Sequence, residues 1–139
     1  MKTIFFLFVL FVGFSAFAQS QGPKSSDKIV SAVSSLNLRP DEVIKLSEDG
    51  WNGAGEAALR LSMYYASVKL DLDRSDYWMT IAAENGNAVA QYNVWARLSE
   101  SSNADDKKRA IFWLRKSAMQ GDPDARLELQ KIEKSMSPG

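Results

Sequence analysis

Asp71-Leu72-Asp73-Arg74-Ser75-Asp76-Tyr77-Trp78 is followed, at an offset of 35 residues, by Asp106-Lys107-Lys108-Arg109-Ala110-Ile111-Phe112-Trp113. The correspondence continues through Ala83, Gly86 and Ala90 against Ala118, Gly121 and Ala125. Each matched position has a physical use. The Trp opens the core face of a helix, the small residue five places on lets another helix approach, and the Gly can take the left-handed conformation that ends a helix. Gly53, Ala57, Leu61 and Tyr65 supply an earlier copy of the second half, at an offset of 33 from Gly86, Ala90, Val94 and Leu98. A lone helical hairpin cannot bury its apolar face, so two clear repeats and a partial one imply stacked neighbours.

Working outward, apolar spacing predicts helices over Gly53 to Val68, Ser75 to Asn85, Asn87 to Glu100, Asp105 to Gln120 and Asp122 to Met136. Asp122 before Pro123 reads as an N-cap with Pro in the first helical position, immediately after the Gly121 stop. Upstream, Pro40 to Asp49 reads as a helix with Asp41 and Glu42 at its positive end and Gly50 as its stop. Ile29, Val30, Val33 and Leu36 mark a short opening helix from Asp27, broken before Pro40. No segment alternates as a strand. The fold class is all-α, a short curved α/α solenoid of antiparallel helix pairs, with the opening and final helices closing its ends.

The N-terminus reads as a secretory signal over residues 1–18. Lys2 gives a positive start, Ile4 to Phe14 an apolar stretch, and Ala16-Phe17-Ala18 a small-x-small cleavage site. The apolar stretch falls well short of the roughly 20 residues that span a bilayer. With no Cys in the chain, a lipid-anchored start has no attachment point. The expected mature chain begins at Gln19, with a polar leader over 19–26, one domain over 27–136 and a tail over 137–139. No membrane insertion is expected after cleavage.

Seventeen basic and 17 acidic residues balance, which argues against nucleic acid or an acidic membrane as partner. The lack of Cys rules out a disulfide framework, and the lack of His removes the commonest general base and metal ligand. Asp71-Leu72-Asp73-Arg74-Ser75-Asp76 resembles the start of a calcium loop. That loop needs Gly at its sixth position and Glu at its twelfth, where Asp76 and Ala82 stand, so helix capping is the better reading. No metal or cofactor is expected. Without His or Cys, no spacing suggests an activated nucleophile, and the chain is read as a non-enzyme.

Ala57-x-x-x-Leu61-Ser62-x-x-Tyr65, Asp71-x-x-Arg74-Ser75-x-x-Trp78 and Ala82-Ala83-x-x-Gly86-x-x-x-Ala90 resemble the Sel1-like repeats, relatives of the tetratricopeptide repeats. A second copy reads Asp106-x-x-Arg109-Ala110-x-x-Trp113, then Ser117-Ala118-x-x-Gly121-x-x-x-Ala125. The resemblance covers Gly53 to Leu129. It implies a right-handed stack of helix pairs whose first helices line a concave binding surface, in proteins that mostly serve as scaffolds in bacterial envelope processes. Two positions depart from the pattern. Glu42 stands where the first repeat would carry its Trp, and Trp95 occupies the usual Gly position beside Val94, so its ring must widen that helix approach or point outward. Family members linked with β-lactam chemistry carry Cys pairs that this chain lacks, so that activity is not carried over.

Trp78 and Trp113 recur in register and read as packing anchors. At 100° per residue, Tyr77, Thr80 and Glu84 point away from the Trp78–Ala82 stripe, and Phe112, Arg115 and Met119 take the equivalent places one repeat later. Those six residues, with Trp95, are the candidate protein-binding residues, because aromatic, Met and Arg side chains are enriched in interface cores. The alternative for Tyr77, Phe112 and Trp95 is packing between repeats. Asp105 to Arg109 reads as a solvated helix start with its acids at the favourable end.

The expected function is a periplasmic or secreted, non-enzymatic module that binds a partner protein on its concave face. A sharper version is an immunity protein that neutralises an envelope-targeting toxin, such as a type VI effector. A cell-wall or β-lactam-acting hydrolase, and a structural spacer in an envelope complex, are the competing classes.

Overall fold

The structure, a computed structural model, describes residues 36–136. The signal, the leader, all but the last residue of the opening helix, and the tail lie outside the described residues. Among the described residues the chain is all-helical, with six α-helices and no strand. They are α1 (Pro40–Trp51), α2 (Gly55–Tyr64), α3 (Leu72–Glu84), α4 (Ala88–Ser99), α5 (Ala104–Met119) and α6 (Pro123–Met136), with a π-helical turn at Tyr65–Lys69.

Four of the six helix starts are set by side-chain caps. Asp71 Oδ1 accepts from Arg74 N at 3.0 Å, Asn87 Oδ1 from Ala90 N at 2.9 Å, Asn103 Oδ1 from Asp105 N at 2.8 Å, and Asp122 Oδ1 from Ala125 N at 2.8 Å. Each satisfies a backbone donor that the helix leaves orphaned, worth about 1 kcal/mol. The Asp71 cap starts α3 at Leu72, three residues before the predicted Ser75. The Asp71 carboxylate, first of the run that resembles a calcium loop, thus acts as a helix cap, the reading favoured from sequence.

The stops differ from the sequence expectation at one place. Gly50 is a buried residue inside α1, and the helix runs on through Trp51. The left-handed residue is Gly53, at φ +101°, matching Gly86 at +88° and Gly121 at +98°. These three glycines close α1, α3 and α5 in the same way, and they fix the register of the repeats. Eight residues before each stop stand Lys45, Trp78 and Trp113, so Lys45, and not Glu42, holds the Trp position of the first repeat. Its ammonium lies exposed, 2.8 Å from Asp49 Oδ2, where a tryptophan one repeat later packs inward. Three residues before each stop stand Gly50, Ala83 and Ala118, all buried, at the position where the next helix comes close.

Each helix packs most heavily on the helices before and after it in the chain. A larger core cluster joins Leu38, Ala58, Leu59, Leu61 and Tyr64 to Trp78, Ala82, Ala83, Val94 and Trp113, and a smaller one joins Leu114, Ala118 and Ala125. Trp78 and Trp113 are buried anchors, as their repetition implies. A buried tryptophan of this kind contributes on the order of 3 kcal/mol, and truncation to Ala would cost more through the cavity left behind.

Polar groups inside the stack are paired. Gln91 donates from Nε2 to Ala83 O at 3.0 Å and accepts from Gln120 Nε2 at 2.6 Å. Ser117 Oγ donates to Ala88 O at 2.8 Å, and the Ser62 and Ser75 hydroxyls meet at 3.1 Å. These bonds tie α3 to α4, α4 to α5 and α2 to α3, so the polar contacts follow the same neighbour-to-neighbour order as the apolar ones.

Candidate functional site

The shared register of Gly53, Gly86 and Gly121 assigns the outward positions of α1, α3 and α5. Nine residues before each stop are Ile44, Tyr77 and Phe112, and two before are Trp51, Glu84 and Met119. All six are exposed. Five of them carry large apolar surface: Ile44 and Trp51 are each 62%, Tyr77 52%, Phe112 38% and Met119 85% exposed. Exposed apolar side chains collected at repeated positions are what an interaction surface needs, and scattered ones need no such account.

Trp51 and Tyr77 connect α1 to α3. The Trp51 indole Nε1 donates to the Tyr77 hydroxyl oxygen at 3.1 Å, and its ring lies 5.5 Å from that of Trp78. Tyr77 meets Trp78 edge-on at 5.2 Å. The three rings make a platform with a buried base and an exposed rim, held from three sides, so it loses little conformational entropy when covered. Thr80, half-buried, donates to Asp76 O at 2.9 Å and lies 3.4 Å from Arg97 Nη2. Arg97 also pairs with Asp76 at 3.7 Å. Thr80 is thereby tied to the helix flank, while Glu84 extends into solvent.

On α5, Phe112 meets the buried Trp113 edge-on at 5.0 Å. The Arg109 guanidinium lies 4.2 Å from the Phe112 centroid and 5.1 Å from that of Trp113. The Lys116 ammonium lies 5.3 Å from the Phe112 centroid. Arg115 is exposed on the same side. Met119 and Lys116 border a cleft whose other walls are Gly86, Gln91 and Gln120, at the junction of the α3 and α5 helix ends.

Trp95 does not join this face. It sits on α4, half-buried, against both core clusters, with Tyr92 at 5.0 Å. The ring fills the seam between the two clusters, the packing alternative for that residue. Trp51 and Ile44 were not singled out from sequence. The Gly53–Gly86 match at an offset of 33 sets Trp51 against Glu84 and Ile44 against Tyr77, but a helix ended at Gly50 leaves Trp51 outside it. In sequence Arg109 belongs to a solvated helix start and nothing marks Lys116, because spacing alone does not show a cation resting on a ring.

The groups whose titration the fold moves lie elsewhere. Lys45 is raised above its ordinary value by its hydrogen bond to Asp49, and Lys131 by its hydrogen bond to Glu128. Both directions keep the lysine charged. Burial pushes the Tyr92 hydroxyl up, with the Asp124, Glu128 and Asp122 carboxylates adding to it. Among the described residues no group of three or more His, Cys, Asp or Glu has metal-binding placement, and no helix is long and apolar enough to cross a membrane.

The chain is 28% identical over 135 residues to a protein of Escherichia coli (strain K12) described as uncharacterized protein YibG, covering 91% of this chain and 88% of that one. No family model and no solved structure matches.

Proposed function

We propose that this chain is a Sel1-like α/α repeat protein, exported through its N-terminal signal, that binds a partner protein on a concave face lined by α1, α3 and α5. The observation that carries the reading is the recurrence of exposed apolar side chains in register with the three left-handed glycines. Ile44, Tyr77 and Phe112 repeat at one position, and Trp51 and Met119 flank Glu84 at another. Nearest-neighbour packing of successive helices supports a solenoid, the arrangement in which first helices share one side. Occupancy is the mechanism: shape and a few rigid aromatic anchors select the partner, as interface hot spots do.

The test is capture from native envelope and culture medium with tagged protein starting at Gln19, compared with a Tyr77→Ala/Phe112→Ala variant of unchanged helicity. A stoichiometric partner lost in the variant is the expected result. A partner retained in full by the variant would remove the face from the reading. A partner toxic when expressed alone in the periplasm would select the immunity version, and a non-toxic envelope protein the adaptor version.

A further inference from the structure

We propose, building on the protein-binding reading, that α5 receives an acidic segment of the partner that carries an apolar side chain to cover Phe112 and Met119. At 100° per residue, Lys108, Phe112, Arg115 and Met119 run along the outward line of α5, opposite the buried Ala110, Trp113, Leu114 and Ser117. Arg109 and Lys116 flank Phe112 from either end, at 4.2 Å and 5.3 Å from its ring centroid. The exposed apolar centre is thus ringed by cations.

Those cations are not neutralised by the protein itself. Among the described residues Arg109, Arg115 and Lys116 form no ion pair. The two carboxylates of the first turn are engaged elsewhere. Asp105 pairs with Lys108 at 3.1 Å, and Asp106 accepts from Ser101 Oγ at 2.6 Å. Acids of this neutral chain lie on the other helices, with Asp41, Glu42, Glu48 and Asp49 on α1, Asp73, Asp76 and Glu84 on α3, and Asp124, Glu128 and Glu133 on α6. The basic surface is therefore local to α5, and its natural complement is a local anionic segment.

The neighbourhood favours a protein segment over an anionic lipid surface. A membrane plane reaching α5 would also meet the exposed Glu84 of the adjacent first helix, at a repulsive cost that a narrow chain avoids. The cleft between Met119, Lys116, Gln120, Gln91 and Gly86 offers a place for one inserted side chain. Arg109 already rests on Phe112 and Trp113, so its guanidinium is partly ordered before a carboxylate arrives, which lowers the entropic cost of pairing.

The experiment titrates the mature protein into three dye-labelled short peptides with Phe and Leu at fixed places, the remaining positions being Glu, Gln or Lys. The Glu peptide is expected to bind at least about tenfold tighter than the Gln peptide, and to weaken with added salt. Arg109→Glu/Lys116→Glu is expected to abolish that advantage, and the milder Arg109→Gln/Lys116→Gln to reduce it with helicity unchanged. Equal binding of the Glu and Gln peptides would overturn the proposal, as would tighter binding to vesicles of phosphatidylglycerol and phosphatidylethanolamine than to the Glu peptide. In the capture assay, a partner lost on Tyr77→Ala/Phe112→Ala but held fully by Arg109→Glu/Lys116→Glu would refute the acidic segment and leave the protein-binding reading standing.

Discussion

Gly50 of α1 faces Trp78 of α3 so closely that a Cβ at Gly50 would stand 3.1 Å from Trp78 Cζ3 and 3.4 Å from Ala58 Cβ. A mid-helix glycine ordinarily costs about 1 kcal/mol relative to alanine. Here it is retained because the helices meet at this point. Gly50→Ala is expected to change stability by less than about 1 kcal/mol, since helix propensity and crowding oppose each other. Gly50→Val adds two methyl groups against the indole and is expected to cost about 2 kcal/mol in urea unfolding. A Gly50→Val protein as stable as the parent would show that α1 and α3 are not in this contact.

Leu70 closes the π-helical turn with φ 53° and ψ 34°, the left-handed region that branched and bulky residues avoid. Its side chain is largely exposed, so little packing offsets the strain. Leu70→Gly is expected to raise stability by about 0.5 kcal/mol, because relief of about 1 kcal/mol of strain outweighs the added freedom of the unfolded chain. An unchanged or lower melting temperature would place the turn in another conformation.

Gln91 is fully enclosed and bonded on both ends of its amide, to Ala83 O and to Gln120. Gln91→Ala leaves a carbonyl and an amide without their partner and opens a cavity, with an expected loss of about 2–3 kcal/mol. Gln91→Leu keeps the volume and isolates the polar part, with a smaller expected loss. Chemical denaturation of the two variants separates the terms.

Tyr92 holds its proton more tightly in the folded state than in the unfolded chain, because burial and then the Asp124, Glu128 and Asp122 carboxylates disfavour the phenolate. With a folded value above the ordinary 10.0, the associated stability is intact below that pH and is lost as pH rises through the folded value. Melting temperature should therefore fall on going from neutral to strongly alkaline solution, and Tyr92→Phe should fall less. Lys45 and Lys131, also raised, contribute in the same direction. Identical alkaline profiles for the parent and Tyr92→Phe would contradict this account.

The helices were legible because their punctuation is local: Asp122-Pro123 after Gly121, and Trp78 and Trp113 in register, each announce an element without tertiary information. The first stop was not, since Gly50, Gly53 and Gly55 compete within six residues and backbone geometry alone separates a crowded helix interior from a left-handed end. The π-helical turn at Tyr65–Lys69 carries no residue signature. Tyr77, Phe112 and Met119 could be placed on an outward line by angle alone, whereas Trp95 could not be assigned. Whether a large ring at a small-residue position points to solvent or fills a seam depends on the shape of the neighbouring helices.

Because successive helices hold mainly their chain neighbours, no distant clasp binds α1 to α6 among the described residues. Tension applied along the chain would meet no single mechanical lock. The molecule would peel helix by helix, with Asn85 Nδ2 on Gly50 O at 2.7 Å and Asn87 on Glu56 at 3.0 Å among the first cross-links to give way on the N-terminal side. Such a chain yields gradually under load, in the manner of a spring and not of a latch.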